Sequence, residues 1–227
     1  MIPKRFRVID LTHPMTPDMP VYPGTEPPLF ETGTTIAADG FAEKKLTLFS
    51  HTGTHLDAPA HILEDAPDLD ALDAARFVGL ARMLDLRNPQ DPACIGADDI
   101  LPHLDALRGC AFALLRTGWE RHWGQADYFE GFPVLDENAA VMLAGIGLSG
   151  IGVDTVSVDA ISEPEVFPIH RIFFGRGLIV VENLANLGAL PDGEFLFSAL
   201  PLRIAAGDGS PVRAVALVEP ENHSGEL

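Results

Sequence analysis

The sequence predicts a single mixed α/β domain over residues 1–227, richer in strand than in helix. Short apolar runs punctuated by Gly and Pro recur along the whole chain and outnumber the helical patterns. No linker, internal repeat or low-complexity tract divides the 227 residues. The composition, 47% hydrophobic and 21% charged, matches an ordinary soluble globular protein able to bury a sizeable core.

The first strand is F-R-V-I-D-L (6–11). Pro14, Pro17, Pro20, Pro23, Pro27 and Pro28 then predict a stiff, ordered loop from Thr12 to Pro28, interrupted by Val21 and Tyr22. K-L-T-L-F (45–49), A-R-M-L-D-L (81–86) and A-F-A-L-L-R (111–116) read as the following strands. Between the first two, the acidic run E-D-A-P-D-L-D-A-L-D (64–73) reads as a solvated loop leading into a helix. It lacks the Gly and the ligand spacing of an EF-hand.

Asp98 to Leu107 is amphipathic, with Pro102 near the first turn of the predicted helix. Asp136 is the N-cap of a second helix, E-N-A-A-V-M-L-A, which closes at Gly145. A third, P-I-H-R-I-F-F-G, starts with Pro168 at its first position and stops at Gly175. G-L-I-V-V-E (177–182), F-L-F-S-A-L-P-L-R-I (195–204) and V-R-A-V-A-L-V (212–218) complete the strands.

Charge narrows the function classes. With 33 acidic against 15 basic residues the net charge is −18. Nucleic-acid binding needs clustered Lys and Arg to neutralise phosphates, and an anionic membrane surface needs the same. Both are excluded as partners. The carboxylates then form a solvated acidic surface, with metal binding by some of them as the alternative.

Cys94 and Cys110 lie outside any CxxC pattern, so they are expected to be free, buried thiols of a reducing compartment. No segment approaches the roughly 18 consecutive apolar residues of a membrane span. The N-terminus has basic residues but no apolar stretch after them, as expected of a cytoplasmic protein that begins with its first strand.

The chemistry-bearing stretch is S-H-T-G-T-H-L-D-A-P-A-H (50–61). His51, His55, Asp57 and His61 are all odd-numbered, so an extended chain would turn them to one side. Gly53 and Pro59 argue against a helix, and Gly53 permits a tight turn. Imidazole nitrogens with a carboxylate oxygen suit Zn, Mn, Fe or Ni, and the absence of sulfur disfavours a Cys-rich structural zinc site. Three ligands in one run would leave positions open, as a catalytic metal requires. The run alone leaves a second reading, a polar loop whose histidines cap turns.

The spacing H-x-G-T-H-x-D-x-P-x-H resembles the signature of the metal-dependent cyclase family, which includes bacterial kynurenine formamidases (arylformamidases) and isatin hydrolases. The resemblance extends to D-L-T-H-P-M-T-P-D-M-P-V-Y-P-G (10–24), R-F-V-G-L-A-R-M-L-D-L (76–86), L-L-R-T-G-W (114–119), G-V-D-T-V-S-V-D (152–159) and F-P-I-H-R-I-F-F-G-R-G-L-I-V-V-E-N-L (167–184). It is specific for the family and much less so for the substrate.

The resemblance implies a strand-rich mixed α/β domain of the kynurenine formamidase-like type, and a homodimer. It implies His51, His55 and Asp57 as metal ligands, completed by His170 and Glu182. It also implies two zinc ions bridged by Asp57, or one manganese as in the isatin hydrolases, which differ at the glutamate position. Glu182 closes the apolar run L-I-V-V, where a buried carboxylate without a partner would be costly. An exposed strand end is the other reading of that residue.

His61 is expected to act as general acid/base, since an imidazole near pKa 6.5 can move a proton at neutral pH. The expected activity is metal-assisted amide hydrolysis of a small molecule, first of all N-formylkynurenine in tryptophan catabolism. The alternatives are another amide or a lactone, such as isatin, and a metal-binding relative without catalysis. Asp154 and Asp159 are expected to hold turns or to orient histidines. Thr54 is read as stabilising its turn, with a hydrogen bond near the metal as the other option. Trp119, Phe41 and Tyr22 are either pocket aromatics or ordinary core residues.

Overall fold

The structure is a computed structural model that describes residues 6–87, 94–162 and 164–219. Its strands are β1 (Arg7–Asp10), β2 (Leu29–Thr34), β3 (Glu43–Thr47), β4 (His55–Asp57), β5 (Val78–Asp85), β6 (Cys94–Ile95) and β7 (Phe112–Arg116). They continue with β8 (Val134–Leu135), β9 (Gly150–Val153), β10 (Ile179–Glu182), β11 (Phe195–Ser198), β12 (Gly209–Pro211) and β13 (Val215–Val218). Among the described residues, four short α-helices accompany them: α1 (Ile36–Asp39), α2 (Ala97–Ile100), α3 (Glu137–Ala144) and α4 (Pro168–Phe174).

One nine-stranded sheet runs β1-β13-β11-β5-β7-β9-β10-β4-β12. Its middle, β5 to β10, is parallel, and the flanks are antiparallel. Parallel strands are covered on both faces, which explains why A-F-A-L-L-R and L-I-V-V are continuous apolar runs rather than alternating ones. Phe112 and Leu114 point into one buried cluster, with Leu56, Val181 and Phe197. Ala113, Leu115 and Val180 point into the other, against residues of α2, α3 and α4 such as Ile100, Leu143 and Phe173. Apolar burial on both faces, at about 25 cal/mol per Å², dominates the stability of such a sheet.

The helix caps follow the sequence. Asp136 accepts from the Ala139 N–H at 2.7 Å, and α3 stops at Gly145. Pro168 opens α4 and Gly175 closes it. The Thr12–Pro28 loop carries only turns and one bridge, Thr12 to Leu184.

Several expectations need correction. Asp98 to Leu107 is not one helix. After α2 the chain tightens into 3-10 turns at Leu101–His103 and Asp105–Leu107, because Pro102 has no N–H to continue the α ladder. The strand expected over 195–204 stops at Ser198, and Pro201 makes only an isolated bridge to Val212. The acidic run leads into the 3-10 turns Leu69–Ala71 and Ala74–Phe77 instead of a helix. Cys110 is a buried free thiol, whereas Cys94 is exposed. β2 and β3 pair with each other as a separate hairpin, mostly exposed. No helix among the described residues is long and apolar enough to cross a membrane.

Candidate metal centre

β4 lies between β10 and β12, and its register builds the site. His55 pairs with Glu182 across the antiparallel β10–β4 ladder, and Asp57 pairs with Val180. Leu56 and Val181 face the opposite cluster, so His55, Asp57 and Glu182 share the sheet face on which α4 packs. α4 delivers His170 to the same face. All four are buried.

His51 and His61 arrive differently. Only His55 and Asp57 are on a strand, so the expected single extended run does not form. His51 lies in the bend before Gly53, whose φ of 66° is the left-handed turn that glycine allows. His61 ends the 3-10 turn Pro59–His61. Its ring centroid is 3.9 Å from that of His51 and 6.1 Å from that of His170. Gly209 leaves room for the His51 ring, since a Cβ there would come within 2.5 Å of it.

The polar atoms converge on Asp57. Its Oδ1 is 2.6 Å from His51 Nδ1 and 3.2 Å from His55 Nε2, and its Oδ2 is 3.6 Å from His170 Nε2. Glu182 spans the same two histidines, with Oε2 3.5 Å from His55 Nε2 and Oε1 3.4 Å from His170 Nε2. Among the described residues, three sets of side chains have donor atoms within 4.8 Å of one another: His51, His55 and Asp57; Asp57, His170 and Glu182; and His51, His61 and Asp208.

These residues fit a divalent cation. The donors are imidazole nitrogens and carboxylate oxygens, which suit zinc or manganese. His170 Nε2 is buried without a hydrogen-bond partner, although it faces two carboxylates. Those separations exceed hydrogen-bond length and suit atoms that share an ion.

The electrostatics agree. Burial opposes charge on His51, but Asp57 and Asp208 outweigh it and push its pKa up to about 9. His55 and His170 also rise against burial, the first through Asp57 and the second through Asp159. Burial works against the Asp57 anion, yet His55 and His51 hold it well below the usual carboxylate range. His61 is the exception: burial lowers its pKa and keeps it neutral.

Surrounding groups set the orientations. His55 Nδ1 donates to the Gly53 carbonyl at 2.8 Å, which leaves Nε2 for Asp57 and Glu182. His170 Nδ1 donates to Asp159 Oδ2 at 2.7 Å. Asp154 instead holds a turn, accepting from Thr117 and from the Gly118 N–H, and burial raises it to about 6. Thr54 ties loops together, donating to the Asn183 carbonyl at 2.6 Å and accepting from the His13 N–H.

A pocket of about 340 Å³ opens over the cluster and includes Tyr22, His51, His55, His61, His170 and Glu182. Of the three aromatics considered, Tyr22 lines it. Trp119 is buried beside Tyr128 and Phe132, and Phe41 is exposed at the hairpin. Sequence reasoning missed Asn183, Asp208, Tyr128 and Glu165. Asn183 adopts φ 57°, donates to the Gly53 carbonyl and accepts from the Tyr128 hydroxyl at 2.5 Å. Its only signal was a polar residue directly after Glu182. Asp208 sits in D-G-S-P, which reads as an ordinary turn.

Comparisons with known proteins identify the family. The family described as "Putative cyclase" matches residues 9–160. A kynurenine formamidase of Bacillus cereus is 35% identical over 208 residues, covering 91% of this chain and 95% of its own. Isatin hydrolase A from Labrenzia aggregata superposes with a TM-score of 0.84 at 29% identity, covering 95% of this chain and 94% of its own. A structure described as a "potential metal-dependent hydrolase with cyclase activity" has a TM-score of 0.78 at 30% identity, covering 95% and 100%.

Proposed function

The chain belongs to the cyclase family, and on that premise we propose that it is a metal-dependent amidohydrolase, an arylformamidase acting on N-formylkynurenine. The observation that carries this reading is the Asp57 carboxylate, placed between the His51/His55 pair and the His170/Glu182 pair, all four of which line a pocket. The 35% identity to a kynurenine formamidase over most of both chains supports the substrate.

His51, His55 and Asp57 would hold one ion, and Asp57, His170 and Glu182 the other. Zinc suits both sets, with a single manganese as the alternative. A divalent metal there supplies Lewis acidity, which polarises an amide carbonyl and acidifies water from a pKa of about 15.7 towards about 7. The chain's own residues do the rest. Asp57 and Glu182 compensate positive charge in a buried site. His61 Nδ1 faces Asp208 Oδ2 at 3.7 Å, so Nε2 is the nitrogen assigned to proton transfer. Neutral His61 takes a proton from the attacking water at Nε2 and returns it to the departing amine.

The apolar walls formed by Phe49, Phe129, Phe167 and Val156 suit an aryl ring. Hydrolysis of a cyclic amide such as isatin is the second reading, favoured by the 0.84 superposition on an isatin hydrolase. We further propose one functional unit over residues 1–227, acting as a cytoplasmic homodimer. Exposed Leu29, Ile36, Phe41 and Leu46 on the β2–β3 hairpin support self-association, and the free buried thiol of Cys110 supports a reducing compartment.

Metal analysis of the purified protein, with hydrolysis assays on N-formylkynurenine and isatin, tests the reading. The expected result is bound divalent metal and faster turnover of the formamide. Protein that binds no divalent metal overturns the whole proposal. Faster turnover of isatin transfers it to the second reading.

A further inference from the structure

Glu165 stands on the wall of the same pocket, in the loop just before α4. Its Oε1 accepts from the Tyr22 hydroxyl at 2.9 Å, which joins that loop to the proline-rich loop across the pocket. Burial and the neighbouring Glu165 carboxylate both raise the Tyr22 pKa, so the phenol keeps its proton and donates it. The exposed carboxylate thus accepts one hydrogen bond and has acceptor capacity left over.

Glu165 is exposed, and among the described residues it is the acidic lining residue that faces no histidine. Glu182 faces His55 and His170, and Asp208 faces His51 and His61. No Lys or Arg is among the residues lining the pocket, and among the described residues none forms an ion pair with Glu165. A fixed anion beside an aromatic-walled cavity attracts a cation and repels an anion. The aryl ring would lie on the apolar wall, and a side chain leaving the ring towards the mouth would meet Glu165.

We propose that Glu165 is a specificity-determining residue, selecting aryl amides whose side chain carries a protonated primary amine. This rests on the arylformamidase reading of the same site. The ammonium group donates to the free lone pairs of Glu165, while a carboxylate on the same carbon is left towards solvent. Tyr22 fixes the acceptor without carrying charge itself.

The test uses the full, zinc-loaded chain and two substrates: N-formylkynurenine, and its desamino analogue, which keeps the ring, the formamide and the carboxylate. The wild type should show a KM about two- to fivefold lower for the aminated substrate, the size expected of one exposed ion pair. Glu165→Gln should remove that preference by raising KM for the aminated substrate without raising it for the desamino one, and Glu165→Lys should reverse it. A preference that survives Glu165→Gln, or a variant that harms both substrates equally, overturns the proposal.

Calorimetric titration with kynurenine and desaminokynurenine gives the same ratio without turnover. If the wild type hydrolyses neither formamide, the arylformamidase reading falls while the binding ratio still decides the role of Glu165.

Discussion

The Asp159 carboxylate accepts from His170 Nδ1 at 2.7 Å and, with the same two oxygens, from the backbone N–H groups of Ile169 and His170. One buried side chain thus anchors the first turn of α4 and fixes the ring that α4 carries. Nε2 is left facing Asp57 and Glu182.

Asp159→Asn should therefore loosen metal binding while leaving the fold in place. Such orienting carboxylates typically contribute 10- to 100-fold to affinity. Competition with a chromophoric chelator reads the affinity, and circular dichroism checks the fold. Unchanged affinity would remove Asp159 from the site.

Glu182 is tested by counting ions. The residue touches the two proposed sites from β10, directly opposite His55. Glu182→Gln keeps the shape and removes the charge. The expected stoichiometry drops from two metals per chain to one, read by elemental analysis after dialysis. Two ions retained at full occupancy would contradict the assignment.

His61 should separate chemistry from metal holding. His61→Ala is expected to keep its metal and to lose about 10²- to 10⁴-fold in kcat, the usual contribution of a general acid/base. A variant with metal and full activity would make the proton-transfer role wrong.

His13 gives a pH dependence outside the metal cluster. Its ring stacks on Trp123 at 4.1 Å, and its Nε2 is buried without a partner. Burial lowers its pKa from 6.5 to about 4. The unfolded chain therefore binds a proton below pH 6.5 that the folded chain refuses until about pH 4. Stability contributed by neutral His13 is present above pH 6.5 and declines as the pH falls towards 4.

The full shift corresponds to about 3 kcal/mol, and partial exposure reduces this to about 1–2 kcal/mol. Urea denaturation of metal-free wild type and His13→Phe at pH 7 and pH 4.5 measures it. The wild type should lose more stability than the variant by that amount. Equal losses would rule the effect out.

Much of this was legible in the chain itself. Asp136, Gly145, Pro168 and Gly175 mark helix ends because caps act within one turn, on neighbours in sequence. The continuous apolar runs of β7 and β10 reveal strands covered on both faces. Pro102 and Pro201 were visible, but the sequence pattern extended helix and strand through them. The lost N–H prevailed over periodicity at both places.

What the sequence determined was the chemistry available: a histidine/aspartate run with a turn-forming glycine, and a glutamate closing an apolar strand. Tertiary structure decided which atoms meet. Glu182 lies 127 residues beyond His55 in the chain, yet pairs with it because β10 and β4 are adjacent in one register. Asp208 reaches His51, Asn183 reaches Gly53 and Tyr22 reaches Glu165 only through packing between distant segments. Such contacts are set by the burial of both sheet faces and by loop closure, neither of which leaves a local signal in the residues themselves.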